Sequence, residues 1–227
     1  FLGFSPDGSK LGFDMSTATS AGDVWSWGVM DGQLTRWTTS ELGGLDPAKL
    51  AEPQLVRFKS FDGLSIPALV YRPAGIAAEV RTPVIMDIHG GPEGQSRPSW
   101  NVGAQYFSAV LGATVILPNV RGSTGYGKRY ADLDNAEKRE DSVKDIGALL
   151  DWIGAQPNLD KNRVAVYGQS YGGYMSLAVS THYADRLVGS VERYGISDFA
   201  SFLKNTEAYR RDNRRAEYGD ERDPKMR

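Results

Sequence analysis

Cysteine is absent from the 227-residue sequence, and histidine is scarce. Without cysteine, disulfide frameworks, thiolate nucleophiles and cysteine-based metal sites are excluded. The lack of cysteine fits a reducing compartment, and we expect a cytoplasmic protein. Any chemistry within these residues that needs an imidazole must use one of two side chains, His89 or His182.

The sequence also lacks an excess of either charge and a long apolar run. Lysine and arginine total 26 against 28 aspartate and glutamate, which gives a net charge of −2. This balance provides no electrostatic surface for nucleic acid or for an anionic membrane. No apolar run approaches the roughly 20 residues that span a bilayer. We therefore expect neither nucleic acid nor a membrane as a partner.

The composition is that of a globular protein, because 41% of the residues are hydrophobic and 11% are aromatic. That content is sufficient for a packed core. The sequence begins at Phe1, inside a pattern typical of a strand, rather than at methionine. We expect the true N-terminus to lie upstream, where a signal peptide could have preceded it.

Residues 1–42 have the pattern of short strands separated by turns. Phe-Ser-Pro-Asp-Gly at 4–8 and Asp-Gly at 31–32 place proline and glycine where hairpin turns need them. The predicted strands include 10–15, 23–30 and 34–38. A meander of this kind, with three tryptophans, is the repeating unit of a β-propeller. We favour the last blade of a truncated propeller over a β-extension packed on the main domain.

A different pattern follows residues 43–53, a stretch with two glycines and two prolines that is predicted to be a linker. From residue 54 to 227, strands and helices alternate, after an opening hairpin around Phe-Asp-Gly at 61–63. Alternation favours an α/β fold with a mostly parallel sheet and helices on both faces. The predicted strands are 55–60, 66–71, 82–89, 113–118, 163–167 and 187–192, and the predicted helices are 106–111, 135–155 and 171–181.

The sequence Gly-Gln-Ser-Tyr-Gly at 168–172 indicates nucleophilic catalysis. It lies where the predicted strand at 163–167 turns into the predicted helix at 171–181. A Gly-x-Ser-x-Gly motif requires this strand, turn and helix, because the turn exposes the serine hydroxyl at the sheet edge. We therefore predict that Ser170 is the attacking nucleophile.

The residues around Ser170 are those that such a turn requires. The turn is strained and the backbone passes close by, so a β-carbon at Gly168 or Gly172 would clash. The backbone N–H of Tyr171 then lies at a helix N-terminus, where it can stabilise an oxyanion.

A second loop, His-Gly-Gly-Pro at 89–92, follows the predicted strand at 82–89. It resembles the His-Gly-Gly-Gly loop that supplies the other oxyanion donor in lipases and esterases. Glycines let backbone N–H groups approach a bound carbonyl. We assign His89, Gly90 and Gly91 to the oxyanion loop, and do not expect His89 to be the general base.

Three further groups of polar residues are better explained without a ligand. The glycine-rich segment 121–127 lacks the lysine and the spacing of a phosphate-binding loop, and Arg121 either pairs with a substrate carboxylate or braces the site. The other two groups are predicted to be solvated helix faces, and we expect neither a metal nor a cofactor. Their members are Glu137, Glu140, Asp141 and Asp145 in one, and Arg211, Arg214 and Arg215 in the other.

Five motifs in this order closely resemble the prolyl oligopeptidase family, nearest its acylaminoacyl-peptidase-like and dipeptidyl-peptidase-like branches. The resemblance covers essentially the whole chain. The motifs lie at 4–8, 61–63, 89–92, 119–127 and 168–173.

The resemblance implies an α/β-hydrolase domain capped by a propeller that admits only peptides or small acylated substrates. Ser170 would be the acylated nucleophile of a serine peptidase, and Tyr171 would give a backbone donor. For the protein as a whole we also allow for a homo-oligomer. Some members carry a tyrosine where His89 stands and use its hydroxyl as the other donor. Here the donor is either the His89 side chain or a backbone N–H of its loop.

One part of the expected triad is missing from the sequence. In this fold the order along the chain is serine, acid, histidine. His89 precedes Ser170, and His182 lies about 18 Å along the nucleophile's own helix at about 1.5 Å per residue. Asp198 comes too soon in the strand order to be the acid. We expect a hydrolase fold truncated at its C-terminal strands, with the acid and histidine beyond Arg227 and no useful activity in these residues alone.

Two alternative functions fit the same motifs. A carboxylesterase would share both the nucleophile motif and the His-Gly-Gly loop, and a non-catalytic binding module could keep the fold without a base. The predicted propeller blade at 1–42 favours the peptidase, since esterases rarely need a propeller.

Overall fold

The computed structural model describes residues 3–224. Its backbone contacts divide these residues into two compact units. One unit comprises residues 3–53, 71–76 and 97–113, and the other comprises residues 54–70, 77–96 and 114–224.

The first unit contains a four-stranded antiparallel sheet whose strands are adjacent in chain order. The predicted meander is therefore confirmed, and its assignment to a propeller stays a prediction. The strands are β1 (Gly3–Phe4), β2 (Lys10–Thr17), β3 (Ser20–Gly28) and β4 (Leu34–Arg36).

A buried glutamine joins the other parts of this unit. Gln105 lies on helix α1 (Val102–Ala109), and its amide nitrogen donates to the carbonyls of Ala18 and Ala51 at 2.8 Å each. Its side-chain oxygen accepts from the Ala51 N–H, also at 2.8 Å. The segment 43–53, predicted to be a linker, thus packs within the unit, and part of it forms a 3-10 helix at Pro47–Lys49.

The second unit is built on a six-stranded sheet in the order β10-β9-β7-β8-β6-β5. Strands β8, β9 and β10 join the sheet through parallel pairs, as predicted from the alternation of strands and helices. The strands are β5 (Pro53–Lys59), β6 (Ser65–Tyr71), β7 (Thr82–Ile88), β8 (Thr114–Pro118), β9 (Leu159–Gln169) and β10 (Gly189–Arg193).

The helices of this unit are α2 (Lys128–Ala131), α3 (Arg139–Ala155), α4 (Tyr171–His182), α5 (Phe199–Asn205) and α6 (Ala208–Tyr218). The predicted helix at 135–155 was wrong in its first four residues. Ala136 has φ +54°, and a β-carbon is strained in that left-handed region, so the α-helix begins only at Arg139.

The core lies between α3, α4 and one face of the sheet. Every apolar residue predicted for the inner face of α3 is at most 3% exposed. Burying an aliphatic side chain stabilises a fold by about 1.5–3 kcal/mol. These residues are Val143, Ile146, Leu149, Leu150 and Ile153, and they pack against Val84, Met86, Ile88, Val164 and Val166.

The opposite face of the sheet is less covered. Asp87 of β7 pairs in register with Tyr167 of β9, which pairs with Val191 of β10, so the three side chains share this face. Val191 is 54% exposed, and every residue of β10 is exposed. Burial raises the pKa of Asp87 to about 6.

The prediction that the acidic run is a solvated face was wrong for Asp145, which is fully buried. Its carboxylate accepts from the Arg121 backbone N–H at 2.9 Å and from the Arg121 guanidinium at 2.8 Å. That guanidinium also donates to Asp62 at 3.1 Å. A buried charge needs such a partner. These contacts support the structural role of Arg121 over pairing with a substrate carboxylate.

Candidate active site

Ser170 occupies the sharp turn between β9 and α4. Its backbone has φ +58° and ψ −120°, a left-handed conformation that is costly for a residue with a β-carbon. The Ser170 N–H donates to the Arg193 carbonyl at 2.8 Å, which ties the turn to the end of β10. Strain held in this way at one residue is the geometry of a nucleophile elbow.

Close packing explains the glycines on both sides of Ser170. A β-carbon added at Gly168 would overlap the Gly172 carbonyl, and one added at Gly172 would overlap the Ile88 carbonyl. Neither obstacle is a flexible side chain, so the backbone itself would have to move. The elbow therefore depends on both glycines.

Ser170 is exposed, and none of the hydrogen bonds within residues 3–224 involves its hydroxyl. The oxyanion loop passes beside it: a β-carbon at Gly90 would lie 3.9 Å from the Ser170 hydroxyl oxygen. On the other side is Tyr171, the first residue of α4, whose N–H has no intrahelical acceptor. Helix and loop thus flank the hydroxyl with backbone that can bind a developing negative charge.

His89 is turned away from Ser170. Its Nδ1 lies 2.8 Å from the Gly90 carbonyl oxygen, and its Nε2 lies 2.9 Å from the Ser123 hydroxyl. Burial lowers the pKa of His89 and favours the neutral ring. The Gly90 carbonyl can only accept, so Nδ1 carries a proton and donates to it, while the Ser123 hydroxyl beside Nε2 also donates to the Val120 carbonyl at 2.7 Å. Both ring nitrogens therefore have partners other than Ser170.

His182 lies at the far end of α4. Its Nε2 is 3.2 Å from a carboxylate oxygen of Glu140, and both side chains are about half exposed. Neither histidine of the chain contacts the Ser170 hydroxyl. Asp198 instead caps α5, since its carboxylate accepts from the N–H groups of Ala200 and Ser201 at 3.1 Å each.

Ser170 lines a cavity of about 580 Å³ that no sequence pattern had indicated. Residues 194–218 form most of its wall, and Gly91 of the oxyanion loop completes it. Aromatic and charged side chains alternate along that wall. They include Tyr194, Phe202, Tyr209, Asp198, Arg210 and Arg214.

The side chain of Tyr171 is buried beneath the elbow in a polar cradle. Its hydroxyl lies 2.9 Å from the Ser142 hydroxyl, 3.2 Å from the Arg139 guanidinium and 3.3 Å from the Asp134 carboxylate. Burial raises the pKa of Asp134 to about 6, although Arg139 beside it opposes that rise. The cradle fixes the side chain of the first residue of α4.

The predicted solvated arginine face was wrong for Arg214 and Arg215, whose side chains are 26% and 15% exposed. Arg214 donates to the Gly91 carbonyl at 3.3 Å, and Tyr218 donates to the same oxygen at 3.2 Å. These contacts span more than 120 positions of the chain. No local pattern could have indicated them.

The glycine-rich segment 121–127 packs against the oxyanion loop. The Thr124 N–H donates to the Gly94 carbonyl at 2.8 Å, and the missing side chain at Gly125 makes room for Gln95. Within residues 3–224, no cluster of three or more acidic or histidine side chains could hold a metal ion. Across the same residues, every helix is too short or too polar to cross a membrane.

A sequence model described as the prolyl oligopeptidase family matches residues 98–227, which is more than half of the chain. A prolyl oligopeptidase, ophP, of Omphalotus olearius is 29% identical over 74% of this chain and 22% of its own length. The acylamino-acid-releasing enzyme of Sus scrofa is 27% identical over 70% of this chain and 21% of its own length.

Solved structures of the same family share the fold. A puromycin-hydrolyzing peptidase of Mycobacterium tuberculosis is 26% identical, with a TM-score of 0.81 over 93% of this chain and 33% of that one. An acylaminoacyl peptidase of Pyrococcus horikoshii is 24% identical, with a TM-score of 0.78 over 96% of this chain and 35% of that one. The second unit is accordingly an α/β-hydrolase fold.

The chain spans about a fifth of the length of the curated relatives it matches and about a third of the solved structures. The family match includes the strand, turn and helix around Ser170. The chain belongs to the prolyl oligopeptidase family.

Proposed function

We propose that Ser170 is the nucleophile of a serine peptidase that cleaves oligopeptides or N-acylated peptides through an acyl-enzyme. One observation carries the proposal: the Ser170 hydroxyl stands exposed at a strained elbow, between the first N–H of α4 and the His-Gly-Gly loop. Membership of the family supports amide hydrolysis as the reaction.

The reaction follows from this placement. The Ser170 oxygen adds to the carbonyl carbon of the scissile amide, and its proton passes to a general base. The N–H of Tyr171 and a backbone N–H of the oxyanion loop bind the carbonyl oxygen as it becomes negative. The C–N bond then breaks, and the amine leaves with the proton returned by the base. Water, deprotonated by the same base, hydrolyses the ester on Ser170 and restores the hydroxyl.

We propose that the base is a histidine outside these 227 residues. His89 and His182 are both held by other partners, so neither can take the proton from Ser170. In the same way, Asp198 is engaged at the N-terminus of α5. The 227 residues would then supply the nucleophile and the oxyanion donors.

We propose that residues 1–42 are the last blade of a propeller, that residues 43–53 connect it onward, and that residues 54–227 belong to the peptidase domain. The antiparallel meander supports the first part of this proposal. Large apolar side chains on the meander are exposed, among them Trp27 at 41% and Trp37 at 61%. A blade alone cannot cover such residues, whereas a neighbouring blade would.

The test uses the full-length protein that contains these residues. We expect hydrolysis of acyl-amino-acid anilides or short peptides, and loss of that activity in Ser170→Ala. The matched control is Ser180→Ala, which should retain activity. Ser180 lies on the same helix, and its hydroxyl donates to the Ser176 carbonyl at 2.7 Å. Turnover of esters but of no amide would identify an esterase instead. No reaction with either substrate, and no labelling of Ser170 by a fluorophosphonate, would favour a binding module.

A further inference from the structure

We propose that Arg214 and Tyr218 of α6 are positioning residues that hold the oxyanion loop in its working conformation. They would do so through one atom, the Gly91 carbonyl oxygen, which accepts from both side chains at 3.3 and 3.2 Å. This inference rests on the proposed function, because it assigns these residues a role in stabilising the tetrahedral intermediate.

The need for such a brace comes from Gly91 itself. Its φ is +140°, a conformation open to glycine, and a β-carbon there would come within 2.6 Å of the Glu93 backbone nitrogen. A glycine without a side chain has nothing of its own to fix its two peptide planes. A backbone donor that can rotate would lose the preorganisation on which oxyanion binding depends.

The structure anchors both peptide planes that meet at Gly91. The plane before it is held by His89, whose Nδ1 lies 2.8 Å from the Gly90 carbonyl oxygen. The plane after it is held by Arg214 and Tyr218. The Gly91 N–H lies in the first of these planes, opposite the Gly90 carbonyl, and anchoring the second plane restricts the rotation about φ and ψ of Gly91 that would let the loop turn. The brace from α6 is thus the second half of one device.

Arg214 is itself held in place and stays charged. Glu217, one turn along α6, accepts from the same guanidinium nitrogen that reaches Gly91, at 2.5 Å. Burial alone would lower the pKa of Arg214, but the bond to Glu217 raises it above its usual value. The guanidinium is therefore charged and can donate to Gly91.

Tyr218 is fixed by packing. It is 7% exposed, and its ring centre lies 5.0 Å from that of Phe199 and 5.5 Å from that of Phe202. The Arg139 guanidinium lies 5.0 Å from the centre of the same ring and also donates to the Tyr171 hydroxyl at 3.2 Å. The end of α6 consequently contacts the supports of both oxyanion donors, the Gly91 loop directly and Tyr171 through Arg139.

The test compares single and double variants of the full-length protein. Tyr218→Phe removes one donor and keeps the ring, and Arg214→Met removes the other. Because the two donors share one acceptor, we expect each single change to lower kcat about 3- to 10-fold, as for one hydrogen bond, with KM changed less than about 2-fold. In the double variant, kcat should fall by more than the product of the two single effects, because in each single variant the remaining donor still partly holds the carbonyl. Arg214→Lys should recover part of the loss.

Arg215→Met is the matched control. It removes a guanidinium from the neighbouring position of α6, where Arg215 bonds Glu221 and Asp212 and not the loop. A merely structural role for α6 would make this variant as slow as Arg214→Met. A peptide boronate, which mimics the tetrahedral intermediate on Ser170, should lose affinity in the brace variants by about the same factor as kcat/KM.

Amide hydrogen exchange reports on the brace independently of catalysis. We expect faster exchange in residues 89–95 of the double variant, with exchange in α3 and the sheet unchanged. Unchanged exchange in that loop would overturn the proposal, and so would a rise in KM at constant kcat, which would mark Arg214 as a substrate contact. The wild-type protein could hydrolyse no substrate while residues 89–95 still exchange faster in the double variant. In that case the proposed function is wrong, and Arg214 and Tyr218 hold the loop without a role in catalysis.

Discussion

The two sides of Ser170 are built to very different degrees. On the oxyanion side, the elbow glycines, the Tyr171 cradle and the anchored His-Gly-Gly loop fix every part by short contacts. On the base side, the hydroxyl has no partner within residues 3–224. Under the proposed mechanism, the described residues thus supply the oxyanion half of the site, and the proton-transfer half comes from elsewhere in the protein.

This difference follows from what each half needs. Oxyanion stabilisation uses backbone N–H groups, and one strand, turn and helix with one glycine loop can supply them within short stretches of sequence. A base must reach the hydroxyl from another strand end. The two halves also differ in their effect on the rate. Losing one oxyanion donor lowers kcat about 10²–10³-fold, whereas losing the base lowers it about as much as losing the whole triad.

The largest expected effect comes from destroying the built side. Gly172→Ala should lower the free energy of unfolding by about 3 kcal/mol or more, because its β-carbon would overlap the Ile88 carbonyl and the backbone must shift. Urea unfolding monitored by circular dichroism measures the change. Gly189→Ala on exposed β10, where no atom lies within 4 Å of an added β-carbon, should cost less than about 1 kcal/mol. Equal losses in both variants would contradict the packing account of the elbow.

A smaller effect concerns β7, the strand that leads into the oxyanion loop. Burial raises the pKa of Asp87 from 3.8 to about 6, so the folded state binds its proton more tightly than the unfolded state does. The carboxyl therefore destabilises the fold progressively as pH rises through this interval. Asp87→Asn should be nearly neutral at pH 3.5 and stabilising by about 1–3 kcal/mol at pH 7.5.

Thermal unfolding of the wild type and of Asp87→Asn across that pH range measures this effect. Asp87 lies on the less covered face of the sheet, whereas Asp62, whose pKa is lowered chiefly by its hydrogen bond to Arg121, lies in an ion pair. Asp62→Asn is thus the contrasting variant and should destabilise at neutral pH. A stability gain for Asp87→Asn that is the same at pH 3.5 and 7.5 would show that titration of Asp87 is not its cause.

The smallest expected effect is at His182. Its pair with Glu140 is exposed, so His182→Gln should change stability by at most about 1 kcal/mol and leave the rate of the full-length protein within about 2-fold. The measurement is kcat/KM on a chromogenic amide substrate. A loss as large as that of Ser170→Ala would place a base inside the chain and end the contrast between the two sides.

Sequence-based prediction placed correctly the elements that depend on neighbouring residues in the chain. Ser170, its two glycines and the His-Gly-Gly loop stand together in the structure because each depends on neighbours in the chain. It failed for Asp145 and Arg214, whose environments are set by partners that are distant in sequence. The charge of these side chains predicted exposure, and long-range pairing overrode that preference. The start of α3 was misplaced for a different reason, a single left-handed residue at Ala136.

The most direct test of the central claim is to identify which serine a covalent probe labels and whether that labelling depends on His182. The full-length protein is treated with a fluorophosphonate, and the modified peptide is identified by mass spectrometry in the wild type, Ser170→Ala and His182→Gln. The account predicts one modified peptide, which contains Ser170, with labelling lost in the first variant and unchanged in the second. Labelling at another serine, or its loss in His182→Gln, would contradict it.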